Sequence, residues 1–81
     1  MSNILLADDD LSTRQFLAGA LEKSGHSVTA CADGLEAWEA FEATPESFDL
    51  LLSDIVMPGL DGIELRTRVL SVRPDLKVVF I

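Results

Sequence analysis

Asp8, Asp9 and Asp10 stand together directly after the apolar run "NILLA", and Asp54 closes a second apolar run, "FDLLLSD". Carboxylates brought together in this way do one of two kinds of chemistry. They gather a divalent cation, or one of them attacks an electrophilic phosphorus. No histidine or cysteine lies beside either group, so the donor set is all oxygen. It suits Mg²⁺, which takes one or two protein carboxylates and fills its other positions with water and phosphate oxygens. A carboxylate held beside that ion can attack phosphorus and become an aspartyl phosphate. Asp54 is the candidate nucleophile, because Pro58, Gly59 and Gly62 shape a loop directly after it.

The elements that must position these groups follow from hydrophobic patterning. Residues 3–7, "NILLA", have no polar alternation and read as a strand buried on both faces. From Leu11 to Ser24, Phe16, Leu17, Ala20 and Leu21 recur at helical spacing; Ser12 or Asp10 caps the start and Gly25 follows the end. Residues 26–32, "HSVTACA", form a second strand. "DG" at 33 and 34 breaks the chain, with Asp33 as a turn former. Leu35, Ala37, Trp38 and Phe41 then mark the stripe of a second helix that stops before Pro45, with Trp38 as a core anchor. Residues 48–54 form a third strand, again buried on both faces, and "MPGLDG" is a loop whose Asp61 caps a third helix through Ile63, Leu65, Val69 and Leu70. Pro74 ends that helix and "KVVFI" opens a fourth strand.

The order β-α-β-α-β-α-β, with short connections, predicts a parallel α/β sheet. Ligands of such sheets bind beyond the carboxyl ends of the strands, where the strand order reverses. If the first and third strands are neighbours, their ends lie about 5 Å apart, which brings Asp9 and Asp54 into one crevice. Two unit charges about 4 Å apart repel by roughly 4 kcal/mol at an effective dielectric near 20, so a cation or protonation must relieve the crowding. "DDD" alone reads equally as a solvated turn or cap; the pairing with Asp54 within an alternating pattern is what points to a site. His26 reads as a solvated turn residue, Asp10 as a helix start, and Glu36, Glu39 and Glu42 as a solvated helix face.

Composition narrows the function classes. The chain has 81 residues, 48% of them hydrophobic, which fits one small domain. A net charge of -8 argues against nucleic acid or an anionic membrane as a direct ligand. No apolar run reaches the roughly 18 residues of a membrane span, and there is no signal-peptide layout, so a cytoplasmic location is expected. Cys31, the single cysteine, reads as a small buried hydrophobe.

Taken together, "ILLADDD", "DG" and "DLLLSDIVMPGLDGIEL" resemble the receiver domain of two-component response regulators. The resemblance implies a flavodoxin-like (CheY-like) fold with strand order 2-1-3-4-5, truncated here after the fourth strand. Residues 1–81 would be one incomplete receiver, lacking the end of strand four, helix four, strand five and helix five. The resemblance also implies roles: Asp54 as phosphoacceptor, Asp9 and the Val56 backbone carbonyl as Mg²⁺ ligands beside Asp54, and Asp8 as an acidic partner acting through water. A sensor histidine kinase or a phosphotransfer protein would supply the phosphoryl group, and the modified surface would switch binding to a downstream protein. "FLAGALEKSGH" and "LLLSDIVMPGLDGIEL" with "PDLKVVFI" are similar to stand-alone receivers that serve as phosphorylation-controlled adaptors of the ClpXP protease in bacterial cell-cycle control. On this reading the protein is no enzyme beyond catalysing its own modification.

Receivers place a threonine or serine after strand four and a lysine after strand five, and both contact the phosphoryl group. Lys77 lies at the wrong end of its strand to replace that lysine. Loss of such donors would slow phosphotransfer. An uncovered first helix and an open fourth strand predict self-association if the chain stops at Ile81. Two other functions fit parts of the sequence. One is a phosphorylation-independent binding module. The other is a haloacid dehalogenase-type phosphatase fragment, which "LLADDDLST" resembles, with Asp8 as nucleophile and Asp10 as acid/base.

Overall fold

Strand and helix alternate along the chain in the computed structural model, which describes residues 2–81. The elements are β1 (Asn3–Ala7), α1 (Leu11–Lys23), β2 (Ser27–Cys31), α2 (Gly34–Ala43), a 3₁₀ turn (Pro45–Ser47), β3 (Leu50–Ser53), α3 (Gly62–Val72) and β4 (Lys77–Phe80). All strand pairs are parallel and the sheet order is β2-β1-β3-β4. The parallel pairing is that expected from the alternating pattern, and the order is that implied by the family resemblance. The order reverses beside β1, whose successors in the chain lie on opposite sides of it, and Ala7 pairs with Ser53 in register. The residues that follow those two positions are therefore neighbours at the carboxyl edge of the sheet.

One aspartate starts each helix. Asp10 accepts the Thr13 N–H, Asp33 the Glu36 N–H and Asp61 the Glu64 N–H, each at 2.8 Å. Each satisfies one of the amide donors left unpaired in a first helical turn. Asp10 is thus the α1 cap, and Asp33, read as a turn former, is the cap of α2.

The main core lies between the sheet and the helices α2 and α3. Leu5, Ala7 and Leu51 meet Ala37, Phe41, Leu65 and Val69, all buried. Fully burying each large side chain in this layer contributes about 1.5–3 kcal/mol. The buried positions of α2 are Gly34, Ala37 and Phe41, and those of α3 are Gly62, Leu65 and Val69. Both follow an i, i+3, i+7 stripe that begins on a glycine. Leu35 and Ile63, which the sequence places on these stripes, are exposed because each sits one residue, about 100° of helical rotation, off the line.

The opposite face departs further from expectation. Helix α1 has no buried residue, Ala20 is exposed, and Phe16 is 74% exposed. Leu50 and Leu52 of β3 are only half-buried, so this strand is covered fully on one face rather than on both. The strand is also shorter than the predicted 48–54. Helix α1 lies over β1 and β2, where Ile4 and Leu6 of β1 are buried, and leaves Val79 and Ile81 exposed beyond it. His26 is half-buried rather than solvated, and its Nδ1 accepts the Ser2 N–H at 3.1 Å. Among the described residues no helix is long and apolar enough to cross a membrane.

Candidate functional site

Three aspartates meet where β1 and β3 end. One carboxylate oxygen from each of Asp8, Asp9 and Asp54 lies within 4.8 Å of the others. The backbone enforces this arrangement, because the Asp54 N–H donates to the Ala7 carbonyl at 2.8 Å and extends the β1–β3 ladder to the first residue beyond β3. On the other side of β1, the Asp8 N–H donates to the Cys31 carbonyl at 3.1 Å. The site therefore rests on three adjacent strands, β2, β1 and β3.

The trio is graded in exposure. Asp8 is 2% exposed, Asp54 half-buried and Asp9 exposed. One oxygen of Asp8 accepts the Asp10 N–H at 2.9 Å, and one oxygen of Asp54 accepts the Ile55 N–H at 2.8 Å. The second oxygen of each accepts no hydrogen bond among the described residues. Among the described residues the ion pairs are Arg68–Glu64 and Arg73–Asp75, so no basic side chain is ion-paired with the trio. At this separation each pair of unit charges repels by roughly 3–4 kcal/mol at an effective dielectric near 20. Unpaired hard oxygen donors with open valences are a donor set that fits Mg²⁺.

The segment after Asp54 is braced from two sides. A Cβ at Gly62 would lie 2.1 Å from the Asp54 carbonyl oxygen, and one at Gly34 would lie 1.8 Å from that of Leu60. The first residues of α3 and α2 thus pack directly on the loop's backbone. The Gly62 N–H also donates to the Ile55 carbonyl at 2.7 Å. Within the loop, Met57 and Leu60 are buried while Val56 is 78% exposed. No hydrogen bond among the described residues engages the Val56 carbonyl, which leaves it available to a ligand. Beneath the site, buried Ser53 donates its hydroxyl to the Asp54 carbonyl at 2.8 Å.

Lys77 pairs with Leu50, at the far end of β3 from Asp54, in keeping with its exclusion from the site. Asp10 is turned into its cap, and Thr13 N–H and hydroxyl bonds hold its carboxyl below the usual carboxylate range. Cys31 is buried, and burial, with Glu36 and Asp33 nearby, pushes its thiol up to about 11. Sequence reasoning did not find Arg14, whose Nη1 donates to the Asp8 carbonyl at 2.8 Å. The available signal was directional: long side chains in a first helical turn lean back toward the helix start, which here is the end of β1.

A four-stranded parallel sheet with acidic groups at the ends of adjacent inner strands defines an α/β module with an acidic site at the carboxyl edge of its sheet. The chain belongs to the response regulator receiver domain family, whose model matches residues 4–81. It is 52% identical over 81 residues, its whole length, to the response regulator receiver protein CpdR of Brucella abortus. It spans 66% of that relative's length. A response regulator receiver domain protein from Clostridium thermocellum superposes with a TM-score of 0.95 at 25% identity, over 99% of this chain and 64% of that one. The response regulator TrrA from Thermotoga maritima, solved in complex with Mg²⁺-BeF, superposes with a TM-score of 0.91 at 30% identity, over 99% of this chain and 68% of that one. Phosphorylation on aspartate is general for this family, and its receiver domains are signalling modules rather than enzymes.

Proposed function

We propose that residues 1–81 act as one receiver unit that accepts a phosphoryl group on Asp54 and thereby switches its binding to a downstream protein. The observation that supports this most is the convergence of the Asp8, Asp9 and Asp54 oxygens within 4.8 Å, with no basic partner on any of them. Asp54 is the trio member that combines an open oxygen with partial exposure and a braced loop behind it. Asp8, at 2% exposure, is poorly placed to meet an incoming phosphodonor, which speaks against the phosphatase reading with Asp8 as nucleophile.

Mg²⁺ would be held by Asp9, Asp54 and the Val56 carbonyl, with Asp8 acting through water. When bound, the ion supplies charge neutralisation for the carboxylates and for phosphoryl oxygens. The Mg²⁺-BeF complex of TrrA supports this assignment by similarity. In the transfer itself, a free Asp54 oxygen forms a bond to phosphorus while the phosphorus–nitrogen bond of a kinase phosphohistidine breaks. The departing imidazole keeps the electron pair and takes up a proton. The donor class is a sensor histidine kinase or a phosphotransfer protein. The likeness to CpdR supports an output in regulated proteolysis, with ClpXP as the partner.

Incubation with a small phosphodonor tests the reading. Intact mass should show one added phosphoryl group in Mg²⁺ and none in excess chelator. Asp54→Asn should stay folded and unmodified. A wild-type chain that binds its partner yet never gains mass would instead make this a phosphorylation-independent binding module.

A further inference from the structure

The carbonyl of Asp8 belongs to a residue that is only 2% exposed, and it has run out of ladder. Asp8 still gives its N–H to Cys31, the last residue of β2, but beyond Cys31 the chain turns away into the capped start of α2. A buried carbonyl without a donor is costly, so the donor it does find is informative. That donor is Arg14, a half-buried residue on the first turns of α1, at 2.8 Å.

We infer that Arg14 is a positioning residue for the acidic trio. It ties the start of α1 to the end of β1 across the Asp8–Asp10 turn, and so sets where the Asp8 and Asp9 carboxylates stand relative to Asp54. The contact is made to the backbone. No ion pair links Arg14 to any carboxylate among the described residues, so the guanidinium braces the turn without occupying an oxygen that a cation would use. With Asp8 Oδ1 held by the Asp10 N–H and the Asp8 N–H held by β2, the Arg14 bond is the third tether on this residue. Three tethers leave its second carboxylate oxygen as the open valence.

The guanidinium also carries a positive charge near a site that would take a divalent cation, and that charge opposes binding. Positioning and charge therefore predict opposite signs on removal. If positioning dominates, Arg14→Met weakens the site; if charge dominates, Arg14→Met strengthens it. Supporting groups behind metal ligands are commonly worth about tenfold or more in affinity, so positioning should prevail.

This inference rests on the cation site proposed above, and the test separates the two. Mg²⁺ is titrated directly by calorimetry into the full chain without phosphodonor, for wild type, Arg14→Met and Arg14→Lys, each first checked for a native circular dichroism spectrum. The expected result is that Arg14→Met raises the Mg²⁺ dissociation constant by about tenfold. Arg14→Lys, which keeps a donor able to reach the carbonyl, should recover most of that loss. Unchanged or tighter binding by a folded Arg14→Met overturns the role of Arg14 alone. No Mg²⁺ binding by the wild type overturns the cation site and this inference with it. Should Arg14→Met fail to fold, the Arg14→Lys titration decides: binding within about twofold of wild type supports the donor role, and a loss as large as about tenfold contradicts it.

Discussion

Gly62 meets the backbone of Asp54 so closely that a Cβ on it would lie 2.1 Å from the Asp54 carbonyl oxygen. That contact links the start of α3 to the proposed phosphoacceptor with no side chain between them. Gly62→Ala forces the backbone of one or the other to move, and overpacking of this kind costs about 1–3 kcal/mol. Gly19 is the control. A Cβ there meets nothing within 4 Å, so Gly19→Ala in the middle of α1 should stabilise by about 0.5–1 kcal/mol. Urea unfolding should show the two midpoints moving in opposite directions, and phosphoryl uptake should fall for Gly62→Ala only.

The site lies at the carboxyl edge of the sheet, and the opposite end is held by Arg73. Its Nη1 donates to the carbonyls of Pro45 and Phe48, and its side chain is largely buried. Arg73→Met would leave two backbone acceptors without their donor, at a cost of about 1–3 kcal/mol. Arg73 also holds the Asp75 carboxyl below its usual range, but that carboxylate is exposed to solvent. Asp75→Asn should therefore leave the unfolding midpoint unchanged, whereas Arg73→Met lowers it.

Cys31 supplies the pH prediction. Burial raises its thiol from 9.0 to about 11. Above pH 9 the unfolded chain loses this proton before the folded chain does, so the folded state is favoured below pH 9 and that advantage fades as pH rises toward about 11. Unfolding midpoints measured across this range should decline, and Cys31→Ala should flatten the Cys31 part of the decline. Alkylation of the native protein at pH 8 should be slow and should accelerate in denaturant.

The parts of this architecture legible in the sequence are those set by local chemistry. Uninterrupted apolar runs mark β1 and β3, aspartates at 10 and 61 mark helix starts, and the acidic residues after both runs mark the site. Side-chain hydrophobicity, however, shows which face of a helix can be buried and not whether anything covers it. Phe16 has the spacing of a core residue yet stands in solvent. Leu35 and Ile63 were misassigned for a related reason: each follows a glycine that takes the buried position, and a residue without a side chain leaves no mark in a hydrophobic stripe. The Arg14 contact spans six residues and joins a side chain to a backbone carbonyl, which residue types alone do not reveal.

The central claim is that, of the three converging aspartates, Asp54 is the one that takes the phosphoryl group. Borohydride reduction of the protein treated with Mg²⁺ and phosphodonor converts an aspartyl phosphate to homoserine, which peptide mass spectrometry can locate. Homoserine at position 54, lost in Asp54→Asn, is the predicted result. Homoserine at position 8 or 9, or none in a protein that has bound Mg²⁺, would contradict the account.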